Sequence, residues 1–204
     1  KSQSDEEITK AFDRLLDIPI IPSLSKYKTM VKDISTKLNK NVDYKVNGGE
    51  VTMNKDSFYL LQDAFVHIIR NSLDHGVEGP EERKKKGKSP KGIIQIDCNE
   101  LDPENIEIKI KDDGKGINSD IIGSKAIEKG IHTSDEINKM SQEEIVKLIF
   151  VPSFSQKESV DELSGRGVGM DIVEKNIRKL GGSISIDTEV DKGTTFVLNF
   201  KSGS

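Results

Sequence analysis

The sequence predicts an α/β two-layer sandwich. Several strand-length segments alternate apolar with polar residues, so each has one face to bury and one to leave in water. Segments of helical period supply enough apolar stripes to cover the buried face. With 204 residues the chain is long enough for one generous domain with a filled core, and two full domains would be tight.

Taken in order, Pro19 and Pro22 are expected to break the chain ahead of an amphipathic helix from Leu24 to Leu38. There Leu24, Tyr27, Met30, Val31, Ile34 and Leu38 recur at threes and fours. Val42, Tyr44 and Val46 alternate with polar residues, and Gly48-Gly49 then turns into Val51-Thr52-Met53, which reads as a hairpin. A long helix follows, from about Asp56 to Asp74. After the polar stretch Glu81 to Lys91, Ile94, Ile96 and Cys98 alternate, as do Ile106, Ile108 and Ile110, predicting two neighbouring strands. Beyond Asp112 the signals turn helical, and Ser141 with Glu144 makes a capping box ahead of Ile145, Leu148 and Ile149. The last third reads helix, strand, strand: Met170 to Leu180, stopped by Gly181-Gly182, then Ser183 to Val190, the turn Asp191-Lys192-Gly193, and Thr194 to Phe200.

Composition narrows the function. Lys and Arg number 31 against 35 Asp and Glu, a formal charge of -4, so no global positive field exists to hold a nucleic acid backbone. The single cysteine, Cys98, excludes an internal disulfide and a cysteine-based metal site, and reads as a small strand residue. No apolar run approaches the roughly 20 residues that span a bilayer, so direct membrane insertion is not expected. The chain starts without Met and ends abruptly after a strand at Lys201-Ser202-Gly203-Ser204, and it reads as a segment of a longer protein.

Three segments carry candidate chemistry. On a helical wheel of about 100° per residue with His67 at zero, Asn71 falls near +40°, Asp74 near -20° and His75 near +80°, while Leu61, Phe65, Ile68, Ile69 and Leu73 occupy about 100° to 240°. The polar cluster suits a metal-phosphate: an Asn amide oxygen is a neutral hard ligand for Mg²⁺, and imidazoles can meet phosphate oxygens or a reacting proton. It equally suits a solvated helix face ending in a turn. Asp112-Asp113-Gly114-Lys115-Gly116 follows directly on a strand. Its glycines let the backbone fold against a flat ligand and its leading carboxylate can accept the exocyclic amine of adenine, although such turns after strands are common. Gly165-Arg166-Gly167-Val168-Gly169 runs into the helix starting near Met170, whose N-terminus offers partial positive charge to phosphate. A polar segment, Ser155 to Ser164, leads into these glycines where a dinucleotide-binding fingerprint would have a strand; it reads as a mobile loop with the glycines as its hinge.

The order of these parts resolves the ambiguity. His67-Ile-Ile-Arg70-Asn71-Ser-Leu-Asp74-His75-Gly76, then Asp112 to Gly116, Phe150-Val-Pro152-Ser-Phe154, Gly165 to Gly169 and Gly193-Thr194-Thr195-Phe196 resemble the N, G1, F, G2 and G3 boxes of the gyrase, Hsp90-type chaperone, histidine kinase and MutL ATPases. Within that superfamily the resemblance is closest to the chemotaxis-type, CheA-like histidine kinases. Asp74-His75-Gly76-Val77-Glu78, the insertion Pro80-Glu81-Glu82-Arg83 to Gly87-Lys88, the Lys125-Ala126 helix and Ser164-Gly165-Arg166-Gly167-Val168-Gly169-Met170-Asp171 carry it. It covers roughly Ile18 to Phe200.

What the resemblance implies is a Bergerat ATP-binding fold, with a mixed, mostly antiparallel sheet covered on one face by helices. Residues 18–204 would be the catalytic domain, and residues 1–17 a linker or the remnant of a dimerisation helix. The cofactors would be ATP and Mg²⁺. Asn71 would coordinate Mg²⁺, Asp74 and His75 would complete that face, and His67 would act in phosphate transfer without being the phosphorylated group. Asp112 would take the adenine amine, with Thr194 helping and Gly114 and Gly116 shaping the turn. Ser164, Gly165, Arg166, Gly167, Val168, Gly169 and Met170 would wrap the phosphates, and Lys125 is a further candidate phosphate contact, or a solvated helix lysine. Phe150 and Phe154 would anchor the lid. Where related chains continue Phe-x-Pro with Gly-Phe-Ser-Thr, this one has Ser153-Phe154-Ser155-Gln156, so lid behaviour is expected to differ.

The implied activity is transfer of the ATP γ-phosphate to a histidine on a separate phosphotransfer domain, and onward to a response regulator. The phosphoacceptor and scaffold-coupling domains are not in this sequence, so self-phosphorylation is not expected. Receptor and coupling-protein contacts and homodimerisation would belong to the parent protein, in the cytoplasm. Two rivals are a nucleotide sensor without transfer and a mechanical ATPase. The latter needs a glutamate base on the Asn71 helix, and His67 stands in that base's place in the box.

Overall fold

The computed structural model describes residues 17–102, 105–152, 154 and 169–201. The elements run β1 (Ile18–Pro19), α1 (Ile20–Ser25), α2 (Tyr27–Lys37), β2 (Val42–Gly48), β3 (Thr52–Met53), α3 (Lys55–Asn71), α4 (Pro80–Lys85), β4 (Gly92–Asp102) and β5 (Asn105–Asp112). Then follow α5 (Ser119–Glu128), α6 (Ser134–Ile137), α7 (Gln142–Lys147), α8 (Met170–Lys179), β6 (Ser183–Glu189) and β7 (Gly193–Lys201).

The main sheet has the order β2-β4-β5-β7-β6; β2 pairs parallel with β4 and every other pairing is antiparallel. The predicted alternation holds. Ile94, Ile96 and Cys98 of β4, Ile106, Ile108 and Ile110 of β5, and Phe196, Leu198 and Phe200 of β7 are buried and share one core with Leu61, Phe65, Ile68 and Ile69 of α3 and Val173 and Ile177 of α8. One sheet face is thus covered by helices, and the other carries the polar members of each strand. Cys98 is buried and free, and burial pushes its thiol up to about 12. A smaller cluster, Ala126, Ile137, Ile145 and Leu148, joins α5, α6 and α7, with Phe154 packed against it. The Ser141–Glu144 capping box forms as expected, and Thr133–Glu136 makes a second one.

Three local expectations are corrected. Val42–Gly48 and Val51–Met53 do not form a hairpin: β2 lies beside β4, and Thr52–Met53 pairs with Ile18–Pro19 in a separate two-stranded ribbon. Turn chemistry at Gly48-Gly49 was satisfied by a change of direction alone, while the pairing partners lie far along the chain. The helix expected from Leu24 to Leu38 is divided at Lys26, where the Tyr44 hydroxyl takes the Leu24 carbonyl at 2.9 Å and Ser25 Oγ bonds back to Ile21 O at 2.8 Å. Pro22 does not break the chain, because it stands in the first turn of α1, where a helix needs no backbone donor.

Candidate functional site

The long central helix starts at Asn54, whose side chain accepts from the Asp56 and Ser57 amides, and runs as α-helix to Asn71. The next residues, Ser72–Gly76, widen into a π-helical turn closed by Val77 N–H to Ser72 O at 2.7 Å. This corrects the wheel positions of Asp74 and His75, since the looser winding rotates both away from the α-helical register. Asp74 pairs with Arg70 at 3.4 Å, and His75 is exposed.

Lys40, which the sequence reading did not single out, donates to the Leu73 carbonyl at 2.5 Å and the Asp74 carbonyl at 3.1 Å. It thereby satisfies acceptors that the widened turn leaves open. Burial lowers its pKa, against the opposing pull of Asp74.

Two consecutive residues at this helix end reach in different directions. The Ser72 hydroxyl donates to Asp112 Oδ2 at 2.8 Å, and the Asn71 amide nitrogen donates to Met170 Sδ at 3.2 Å. Ser72 was also missed, yet a signal existed. On the His67 wheel it falls near 140°, a small hydroxyl inside the apolar stripe.

Asp112 ends β5 between Ile94 of β4 and Thr194 of β7 and is only 3% exposed. Its carboxylate accepts from Ser72 Oγ, from the Gly114 amide at 3.0 Å and from the Thr194 backbone. Burial pushes its carboxyl above the ordinary 3.8 and those three donors pull the other way. A carboxylate has about four acceptor positions, so one is left for a donor such as an amine.

The turns around Asp112 are stitched to one another. Lys115 N–H donates to Gly76 O at 3.0 Å, and Asp191 N–H donates to Lys115 O at 2.9 Å, which brings Gly116 against the β6–β7 turn. Thr194 is buried, its hydroxyl 3.2 Å from that of Thr188, which also accepts from the Ile117 amide at 2.9 Å.

Two glycines are required here by close approach. A Cβ on Gly114 would overlap the Gly76 carbonyl, and one on Gly193, whose φ is +121°, would overlap the Asp112 carbonyl. Gly193→Ala is therefore expected to lower stability by about 1–3 kcal/mol, read as the midpoint of urea unfolding. An unmoved midpoint would show that the β7 turn does not need this approach.

His67 is half-buried on α3. Burial first, then the neighbouring Arg70, hold its imidazole below the ordinary 6.5, while Asp171 and Asp74 pull it upward. Its helix packs against α8, where Met170 meets Asn71 one turn further on. That helix begins at Gly169, with no side-chain cap on its first amides, and Met170 is buried. Lys125 is exposed on α5, a helix packed on α6, α7 and the turn Leu148–Phe150. Ser164, Gly165, Arg166, Gly167 and Val168, together with the expected loop Ser155 to Ser164 and residues 1–16 of the expected linker, lie outside the described residues.

The polar stretch Glu81 to Lys91, with Glu78 just before it, holds a buried ionic cluster. Arg83 is 1% exposed and binds Glu78 Oε2 at 3.2 Å, both carboxylate oxygens of Asp113 at 3.1 and 2.7 Å, and the Ser89 carbonyl at 2.6 Å. No local periodicity marks this arginine, so the sequence reading had no means to find its role.

Residues 60–204 match the family described as histidine kinase-, DNA gyrase B-, and HSP90-like ATPases. The chain belongs to this family.

Several of its relatives are chemotaxis proteins. The chain is 35% identical over 197 residues to the chemotaxis protein CheA of Halobacterium salinarum, which covers 95% of this chain and 29% of that protein. It is 44% identical over 181 residues to CheA of Borreliella burgdorferi, covering 89% and 21%, and 43% identical over 177 residues to the sensor histidine kinase CheAY of Helicobacter pylori, covering 87% and 22%. The chain thus spans less than a third of these relatives' lengths. Among solved structures, the catalytic domain of histidine kinase ThkA aligns with a TM-score of 0.57 over 92% of this chain and 95% of that one, at 13% identity. A mycobacterial sensor histidine kinase, MprB, aligns at 0.54 over 92% and 98%, at 17% identity. These two establish the fold: the α/β sandwich expected from the sequence is that of histidine kinase ATPase domains. Among the described residues no helix is long and apolar enough to cross a membrane.

Proposed function

We propose that the chain is the ATP-binding catalytic domain of a chemotaxis-type protein-histidine kinase, which presents the γ-phosphate of Mg-ATP to a histidine on a separate phosphotransfer domain. The observation that carries this is the divergence at the end of α3: Ser72 holds the buried carboxylate Asp112, and its neighbour Asn71 meets Met170 at the start of α8. A base reader and a helix N-terminus fit for phosphate are thereby attached to one helix end. The relatives' names support the kinase reading.

Asp112 reads adenine through its remaining acceptor position, with Thr194 beside it. Gly169 and Met170, at the start of α8, are the phosphate-facing candidates among the described residues, and Asp74, His75 and Lys125 remain candidate phosphate contacts. Among the described residues no group of three His, Cys, Asp or Glu side chains could hold a metal unaided. Mg²⁺ would be held by phosphate oxygens, waters and the Asn71 amide oxygen, the end of that group turned away from Met170. When bound, the ion supplies charge neutralisation for the phosphates. The protein's share is positioning: the reacting group is fixed and water is excluded, and little covalent chemistry is asked of side chains. The onward partner is a response regulator.

Incubating the chain with labelled Mg-ATP and separate histidine-phosphotransfer domains is expected to label the acceptor histidine. Tight nucleotide binding with no labelled acceptor would instead favour a nucleotide sensor. Asp112→Asn is expected to weaken ATP binding by about 1–3 kcal/mol, because an amide donor then meets donors inside a buried site. Unchanged affinity in calorimetry would remove Asp112 from the pocket.

A further inference from the structure

Two adjacent carboxylates, Asp112 and Asp113, precede Gly114, and only one can face a base. The structure separates them. Asp113 shares none of Asp112's carboxylate partners: it pairs with the buried Arg83 guanidinium and also accepts from the Ile93 amide at 2.8 Å. Lys88 uses its three donors on the same turn and its anchor: Gly114 O at 2.7 Å, Asp113 O at 3.1 Å and Glu78 Oε1 at 2.9 Å. Glu78 is 4% exposed and has Arg83 on one oxygen and Lys88 on the other. Lys86 extends the cluster to the β6–β7 turn, with its amine 2.7 Å from Asp191 Oδ1. One inserted segment therefore grips the Asp113–Gly114 turn and touches the turn before Gly193, the two backbone features that flank Asp112.

We propose that this segment is an ionic clip that sets base specificity: Arg83 and Lys88 hold Asp113 and the Asp113–Gly114 carbonyls, so that Asp112 alone meets the base at a fixed position. Lys88 is then a positioning residue for adenine recognition, acting through the turn and touching no ligand. This rests on the reading of Asp112 as the adenine-facing carboxylate. A carboxylate accepts the exocyclic amine of adenine and repels the carbonyl that guanine presents at the corresponding atom, so discrimination depends on how tightly the carboxylate is held. Loosening the clip lowers affinity for ATP and narrows its margin over GTP.

The test is calorimetric titration of Mg-ATP and Mg-GTP into the wild-type chain and Lys88→Met, with thermal unfolding to establish that the variant is folded. Lys88 lies at the edge of the cluster, 15% exposed against 1% for Arg83, which makes it the gentler substitution. ATP affinity is expected to fall about tenfold and GTP affinity less than about twofold, so their ratio drops. A general loss of structure would lower both together. Should Lys88→Met fail to fold, Asp113→Asn keeps the shape while weakening the hold of Arg83, and the same drop in ratio is expected. A folded variant whose ATP affinity and ATP-to-GTP ratio match the wild type overturns the clip and leaves the ATP reading standing. A wild-type chain that binds neither nucleotide overturns the ATP reading itself, and the clip with it.

Discussion

Phosphate transfer from a His67→Gln chain to a histidine-phosphotransfer domain is expected to be slower by about 10²–10⁴-fold, the usual contribution of a positioned proton-transfer group. Calorimetric affinity for ATP should change little, since Asp112 and the helix end remain. The environment of His67 makes the assignment testable by pH. Burial and Arg70 hold the imidazole below 6.5, so it is mainly neutral at pH 7 and able to accept a proton or a hydrogen bond. Wild-type transfer should therefore fall as pH drops through the depressed value, and the glutamine variant should lack that acidic limb. Stability carries the same sign. Because the folded chain binds this proton less readily than the unfolded one, the contribution of His67 is complete above 6.5 and diminishes as the pH falls below it. Single-turnover transfer at the wild-type rate by His67→Gln would take the residue out of the chemistry.

The largest stability effect is expected at Arg83. Arg83→Met leaves Glu78, whose side chain is 1% exposed, without one of its partners, and frees the Ser89 carbonyl and the Asp113 carboxylate together. Breaking a buried pair by removing one member costs about 3–5 kcal/mol; the lower end is expected here, because Lys86 and Lys88 still hold Glu78. For a domain of this size that is a fall of about 6–12 °C in the melting midpoint at neutral pH. Burial pushes the Glu78 carboxyl up, but Lys88 and Lys86 outweigh it and hold it below 4.5. The cluster's support is therefore present above pH 4.5 and lost as the pH falls from there. A melting curve for Arg83→Met within about 2 °C of wild type would mean that the segment is not anchored as described.

Much of the site was legible because its parts are local. The positions of His67 and Asn71 follow from helical period, the alternation of β4, β5 and β7 from strand period, and the glycine requirement from turns that immediately follow strands. Both periodicities are properties of a few consecutive residues, so one sequence suffices to see them. Asp112 continues the buried face of β5, so its inward direction belongs to the same alternation; the anchoring of its neighbour Asp113 is different in kind. Asp113 is held by Arg83, which lies 30 positions earlier and is buried by contacts that no window of sequence contains.

By itself, then, the sequence determined which residues could form an amphipathic face, a capped helix end or a tight turn, and in what order those parts occur. Tertiary structure decided the parallel pairing of β2 with β4, the ribbon between Ile18–Pro19 and Thr52–Met53, the π-helical turn that redirects Asp74 and His75, and the burial of Arg83. The physical reason is range. Propensity and period act over one or two turns of chain, whereas strand partners and buried ion pairs are selected by the single arrangement that satisfies distant donors and acceptors at once.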